Sequence, residues 1–307
     1  MLGYGFMQTA LVAAVLVGLT APTVGVHLVQ RRLSLIGDGV GHVALLGVAL
    51  GLATRTAPVA AALVTAVTGA VLLEVLRHRR SAAADVALSV LFYGGIAGAV
   101  VVVARAPAGS AVNLDSYLFG ALTTTTRADL VAFTVLAAVV LTVTVGLGRQ
   151  LFMAALDEDF AVVAGLPVLR LNLLLATVTA GTVVLSMRIL GLLLISGLMV
   201  LPAACAQQLA RGYRSSMLTA VAVGVGVATS GTVVSFYADT PSGGTIVLLA
   251  VAVFVLARLA RTVRRGTARL ADAGAHEDAG APAGPRSAGP IGPAISRWRG
   301  PARPSAG

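Results

Sequence analysis

The sequence predicts an all-α fold, a polytopic transmembrane helical bundle of 8-9 spans, and three observations predict it. Of 307 residues, 57% are apolar and 11% charged, where a soluble domain carries about 25% charged residues. Mean hydropathy is +0.93, so a water-facing fold would expose large apolar patches, and lipid is the solvent that suits the chain. The apolar residues also fall into runs of bilayer-crossing length, roughly 20 residues each, separated by short segments that carry the arginines.

Nine runs qualify, at 6–29, 35–53, 57–76, 86–104, 128–147, 169–187, 190–209, 215–236 and 244–257. The first lacks a basic stretch before it and a cleavage site after it, which reads as a retained span rather than a signal peptide. The seventh contains Pro202, which kinks or breaks it. The ninth is short, with Arg258 placed to snorkel. Eight or nine crossings follow.

All 22 basic residues are Arg; there is no Lys. Arg31–Arg32, Arg77/Arg79/Arg80, Arg149, Arg211/Arg214 and Arg258/Arg261/Arg264/Arg265 follow the first, third, fifth, seventh and ninth runs. With nine crossings these loops share one side, which the positive-inside rule makes cytoplasmic. The other side holds Arg55, the stretch 105–127, Arg188 and the base-free 237–244. This is a multi-pass protein of the cell membrane, N-terminus outside and C-terminus cytoplasmic. The net charge of +10 is thereby explained by topology, and no nucleic acid is expected as a partner. Residues 1–265 form the transmembrane domain. Residues 266–307, rich in Ala, Gly, Pro and Arg, form a disordered cytoplasmic tail, in which His276 is idle and Arg286, Arg297, Arg299 and Arg303 are placed to touch anionic membrane lipid.

Composition also excludes chemistry. Without Lys there is no Walker A loop, so any ATP is bound by another subunit and no catalytic residue is expected here. The lone Cys205 permits no internal disulfide and no Cys-based zinc finger; it reads as a small buried hydrophobe.

Charged groups inside a span cost about 2.5–3.5 kcal/mol each on insertion scales and need a reason. In the second run, RRLSLIGDGVGHVALLGVALGL, Asp38 and His42 stand four apart, on one helical face with about 6 Å of rise between them. A carboxylate and an imidazole so placed suit one divalent transition metal, zinc, manganese or iron. The alternatives are a structural hydrogen-bonded pair and, after it, a proton relay. The glycine spacings Gly37/Gly41 and Gly47/Gly51 allow close helix packing and turn this face into a bundle. His27 reads as interfacial. Glu74 and His78, beside three arginines, read as a solvated cluster. Asp239, before Pro241-Ser242-Gly243-Gly244, marks the turn into the last helix, with an outer metal contact as the alternative. Between the fifth and sixth runs, Asp157-Glu158-Asp159-Phe160-Ala161-Val162-Val163-Ala164-Gly165-Leu166-Pro167 is acidic at its start and stopped by Gly and Pro, a short cytoplasmic helix that is either an interfacial connector or a docking knob for a soluble partner.

Four stretches together resemble one family. RRLSLIGDGVGHVALLGVALG, DEDFAVVAGLPVLRLN, SMRILGLLLISGLMVLPAACA and SFYADTPSGGTIVL occur in the order and spacing of the membrane permeases of ATP-binding-cassette importers for zinc, manganese and related metals, the zinc-uptake permease type. The resemblance covers roughly residues 5–262. It implies that Asp38 and His42 are the intramembrane metal pair, and that residues 157–165 form the coupling helix, with Asp157, Glu158, Asp159, Ala161, Ala164 and Gly165 at the ATPase. It implies two cytoplasmic ATPase subunits, a permease homodimer, an extracytoplasmic metal-binding protein, and no permanently bound cofactor, only transported metal (Zn, Mn or Fe). One departure is Gly41, where many relatives carry Ser or Ala; it bears on the geometry of the site, not its ligands. The rival from another class is a proton-coupled secondary transporter using Asp38 and His42 as relay.

Overall fold

In the computed structural model, residues 5–79, 84–105, 114–120, 126–210 and 212–279 are described. Arg80, Arg211 and the tail from residue 280 on, with Arg286, Arg297, Arg299 and Arg303, lie outside them. The described residues form helices and connecting turns: α1 (Gly5–Gln30), α2 (Ile36–Ala53), α3 (Pro58–His78), α4 (Ala84–Ala104), α5 (Leu114–Phe119), α6 (Arg127–Gly146), α7 (Gly148–Leu156), α8 (Glu158–Val163), α9 (Val168–Leu190), α10 (Leu192–Leu209), α11 (Tyr213–Ala238) and α12 (Ser242–Ala279). The chain divides into two units, Met1–Thr262 and Val263–Gly307. Helix α12 runs on to Ala279, so the first fourteen residues assigned from sequence to a disordered tail are helical.

Eight of these helices are long and apolar enough to cross a membrane: α1, α2, α3, α4, α6, α9, α11 and the part of α12 up to Thr262. They coincide with eight of the nine apolar runs. The remaining run is α10, whose described apolar stretch, Leu194–Leu209, is shorter. Pro202 lies inside α10 without ending it. The break falls earlier, at Gly191, where φ is +90°. Only glycine adopts that conformation without strain, and a Cβ there would strike the backbone of Leu118–Gly120. One residue thus separates α9 from α10, where the sequence suggests a short loop around Arg188.

Helix ends follow ordinary capping chemistry. Thr126 and Asp129 form a reciprocal capping box at α6, the Thr126 N–H donating to Asp129 Oδ2 at 2.9 Å. Pro58 opens α3, where its missing N–H costs nothing. Asp157 accepts from the Phe160 N–H at 2.9 Å and starts α8, and Gly165, at φ +81°, stops it.

The interior is built from small residues, which allow backbones in an apolar solvent to approach closely. A Cβ on Gly224 would lie 2.6 Å from the Gly18 carbonyl oxygen, joining α1 to α11, and one on Gly47 would lie 2.6 Å from Ala62 Cα, joining α2 to α3. Most of α1, α2 and α9 is buried, whereas α4, α6 and α12 are largely exposed. The exposed positions there are apolar: Val86, Val90, Val100 and Val101 on α4, Val131, Val135 and Val139 on α6, and Leu248 and Leu256 on α12. Helix α10 is buried as well, with Ile195, Leu198, Met199 and Ala203 all inside, and a core of buried helices flanked by helices with apolar outer faces is the arrangement a bilayer demands.

Contacts between distant loops agree with the alternation read from the arginines. Arg77 at the end of α3 meets Glu158 of α8, both on the Arg-rich side. Arg188 at the end of α9 meets Asp129 at the start of α6, 2.6 Å apart, both on the opposite side. Arg188 is therefore paired, not an isolated charge.

Candidate functional site

Helix α2 begins at Ile36, which puts Asp38 in its first turn and His42 one turn further in. An acid in the first turn is favoured by the positive end of the helix. His42 is buried, 7% exposed, and its ring meets Phe92 of α4 edge-on, centroids 4.3 Å apart. Close approach of α4 is what buries it: a Cβ on Gly95 would lie 2.6 Å from the His42 carbonyl carbon. On the other flank Gly37 faces Ser196 and Met199 of α10, and Gly41 faces Leu192 and Val183. The glycines do let neighbouring helices close around this face. Asp38 stays half-buried.

His42 Nδ1 is buried without a hydrogen-bond partner, and among the described residues no hydrogen bond joins it to Asp38. The structural-pair reading requires that bond. A buried ring nitrogen with no partner costs free energy of about 1–3 kcal/mol, a cost that bound metal or a transferred proton would offset. Among the described residues no three His, Cys, Asp or Glu side chains converge, so Asp38 and His42 stand there as a candidate pair, fewer than the four ligands of a closed zinc site.

The second site is the acidic connector. Ala161 is fully buried, packed on Ala154 of α7 and Val168 of α9, and so seats α8 against the bundle rather than facing outward. Ala164 and Gly165 are exposed. Asp157 is spent on the cap. Glu158 turns back onto the bundle: its Oε1 accepts from Asn172 Nδ2 of α9 at 2.9 Å and from Arg77 Nη2 at 3.3 Å. The outward face is apolar, made by Phe160, Val162 and Val163, the last 86% exposed. The residues expected from sequence at a docking surface were Asp157, Glu158, Asp159, Ala161, Ala164 and Gly165; the outward apolar face adds Phe160, Val162 and Val163 as candidates. The signal was there, in β-branched and aromatic residues following the acids on a segment too short to cross a membrane.

Two other expectations change. Glu74 is 4% exposed and bonded to Arg77 at 3.0 Å, while His78 is exposed; they are not one solvated cluster. His27 is fully buried, with Nε2 3.3 Å from Tyr213 Oη, not interfacial. Asp239 caps α11 in the left-handed region, at φ 50°, and lines a cavity of about 430 Å³ with Phe6, Phe119, Ser235 and Thr240. Cys205 is buried, as expected.

Known proteins share this architecture. A metal transport system membrane protein of Treponema pallidum, described as probable, is 32% identical over 83% of this chain and 96% of its own length. The high-affinity zinc uptake system membrane protein ZnuB of Haemophilus influenzae is 29% identical over 82% of this chain and 96% of its own. Relatives named for manganese transport in Halalkalibacterium halodurans and for chelated iron transport in Yersinia pestis each match at 28% identity, over 84% and 83% of this chain and 88% and 85% of their own. Among solved structures, PsaBC from Streptococcus pneumoniae in complex with Fab superposes with a TM-score of 0.72 at 26% identity, covering 83% of this chain and 91% of that one. Residues 3–261 match the ABC 3 transport family, and with nearly the whole membrane unit inside that match the chain belongs to this family.

Proposed function

We propose that this chain is the membrane permease subunit of an ATP-binding-cassette importer that moves a divalent transition metal across the cell membrane. Zinc is the first expectation, then manganese or iron. The observation that carries the reading is the Asp38–His42 pair on a buried helix, with His42 Nδ1 unpartnered, in a chain whose relatives bear the names of zinc, manganese and iron transport.

The roles follow from chemistry. Asp38 supplies hard oxygen and His42 borderline nitrogen, a combination suited to zinc, manganese and iron alike. Two ligands make an incomplete site, as suits a station that must release what it binds. A metal cation there neutralises the Asp38 carboxylate, which lowers the cost of burying either charge. Nothing in the chain hydrolyses ATP, because it has no Lys and hence no Walker A loop. Two cytoplasmic ATPase subunits would supply the work, docking on the apolar face of α8. A metal-binding protein outside the membrane would deliver the ion at the opposite end, where Asp239 lies. Transport then needs two global states with different affinity for metal, and no covalent step.

The test is uptake of Zn²⁺, with Mn²⁺ as competitor, into proteoliposomes holding this chain with its own ATPase subunit. Uptake that requires ATP is expected. Uptake driven by a proton gradient without ATP would instead favour the secondary transporter.

A further inference from the structure

We propose that α3 is the rod that carries motion between the ATPase-docking knob and the metal-bearing helix, with Arg77 as its grip on the knob and Thr65 as its grip on α2. The proposal rests on reading α8 as the docking knob and Asp38 and His42 as the metal station.

At the Arg-rich end, Arg77 Nη2 donates to Glu158 of α8 at 3.3 Å and to Glu74 of its own helix at 3.0 Å. Glu74, at 4% exposure, is a buried carboxylate that needs its cation, so Arg77 is held to α3 while it reaches the knob. Asn172 of α9 holds the same Glu158 oxygen at 2.9 Å. Arg31, from the turn between α1 and α2, joins the cluster, lining a small cavity with Glu74 and Asn172. Burial lowers its guanidinium pKa from the usual value, Arg77 pushes the same way, and Glu74 and Glu158 oppose them. Arg77, Glu74 and Glu158 from α3 and α8 are thus joined by ion pairs, with Arg31 of the α1–α2 turn beside them, its Nε and Nη2 buried without a hydrogen-bond partner.

At the other end, the Thr65 hydroxyl lies 3.2 Å from the Val43 carbonyl, the residue after His42. It shares its one proton between that acceptor and the Ala61 and Ala62 carbonyls of its own helix, at 3.1 and 3.0 Å. Around it the two helices interlock. A Cβ on Gly47 would lie 2.6 Å from Ala62 Cα, one on Gly51 2.8 Å from Pro58 Cα, and one on Gly69 3.2 Å from Val43 Cγ1. Backbones this close form one packed unit, so in this proposal α2 moves with α3. Between Thr65 and Arg77 the helix has no proline and spans about 18 Å. A displacement of Glu158 thus reaches the residue beside His42 through one hydrogen-bonded ion pair, one helix unbroken by proline and one interlocked face.

Intermediate position alone does not show coupling. The experiment measures metal moved per ATP hydrolysed by the full complex in proteoliposomes, with Zn²⁺ or Mn²⁺, whichever the wild-type chain takes up. Variants are Arg77→Gln, Glu158→Gln, the double variant, and Thr65→Val, which keeps shape and removes the hydroxyl. Expected for Arg77→Gln are normal co-purification of the ATPase, basal hydrolysis within about twofold, an unchanged half-saturating metal concentration, and metal per ATP reduced about fivefold or more. The double variant should be no worse than the worse single one, because both cut one link. Thr65→Val should lower the same ratio and leave ATPase attachment intact. An unchanged ratio in Arg77→Gln and Thr65→Val overturns the proposal. So do single effects that multiply in the double variant. Loss of the ATPase from Arg77→Gln would make Arg77 a docking residue and overturn it too. Should Arg77→Gln not accumulate, Glu158→Gln and Thr65→Val read the two ends, and wild-type ratios in both sink the idea. Wild-type uptake tests the function by itself; only the variant-to-wild-type ratio tests the rod.

Discussion

His42 shows how one residue carries an argument that composition cannot. Its place on a helical face with Asp38 is legible in the sequence, because i and i+4 share a face in any α-helix. The missing bond between the two is not legible, since it depends on Phe92 and Gly95 of α4 closing over the ring. Glu74 shows the converse. Surrounded in sequence by Arg77, Arg79 and Arg80, it reads as solvated, yet it is buried, because Glu158 and Asn172 arrive from distant segments to complete the network around Arg77. Asp129 also does more than its sequence position suggests, closing the α6 capping box and pairing with Arg188. Asp129→Ala should cost about 1–2 kcal/mol, roughly 1 for the cap and up to about 1 for the exposed pair. Thermal unfolding of the detergent-solubilised protein checks it; a midpoint equal to wild type would remove both assignments.

At the scale of elements, the apolar runs locate the eight long helices within a few residues, because lipid imposes length and apolarity together. The α9–α10 break was legible as a gap between two runs at Arg188, but not its place, since Gly191 looks like any other glycine of a Gly-rich chain, and only contact with the Leu118–Gly120 backbone makes its positive φ necessary. The interlocked α2–α3 face makes a firm prediction. Gly47→Leu must displace Ala62 and Thr65, and overpacking of this kind costs about 1–3 kcal/mol. A lower yield of monodisperse protein and a lower unfolding midpoint are expected; an unchanged midpoint would mean the two helices separate easily. Helix α8 makes another. Its acids were legible as a helix start, but its outward face is Phe160, Val162 and Val163. Val163→Asp should weaken ATPase co-purification about tenfold, a loss of about 1.4 kcal/mol, without changing the fold. Full retention of the ATPase would move the docking surface elsewhere.

For the molecule as a whole, Asp38 and His42 sit on buried α2 between α4, α9 and α10, and the apolar outer faces of α4, α6 and α12 meet the bilayer. The acidic knob and the cluster of Arg31, Glu74, Arg77 and Glu158 lie at one end, and the Asp239 cavity and the Arg188–Asp129 pair at the other. That polarity matches an importer that receives an ion on one side and takes mechanical work on the opposite one. Its centre is the station on α2, and the most direct test compares ATP-dependent Zn²⁺ uptake by the wild-type chain with that of Asp38→Ala and His42→Ala, each reconstituted with the same ATPase. Loss of one of so few ligands is expected to lower uptake at least about tenfold while the ATPase still co-purifies and hydrolyses ATP. Wild-type uptake in both variants would contradict the account.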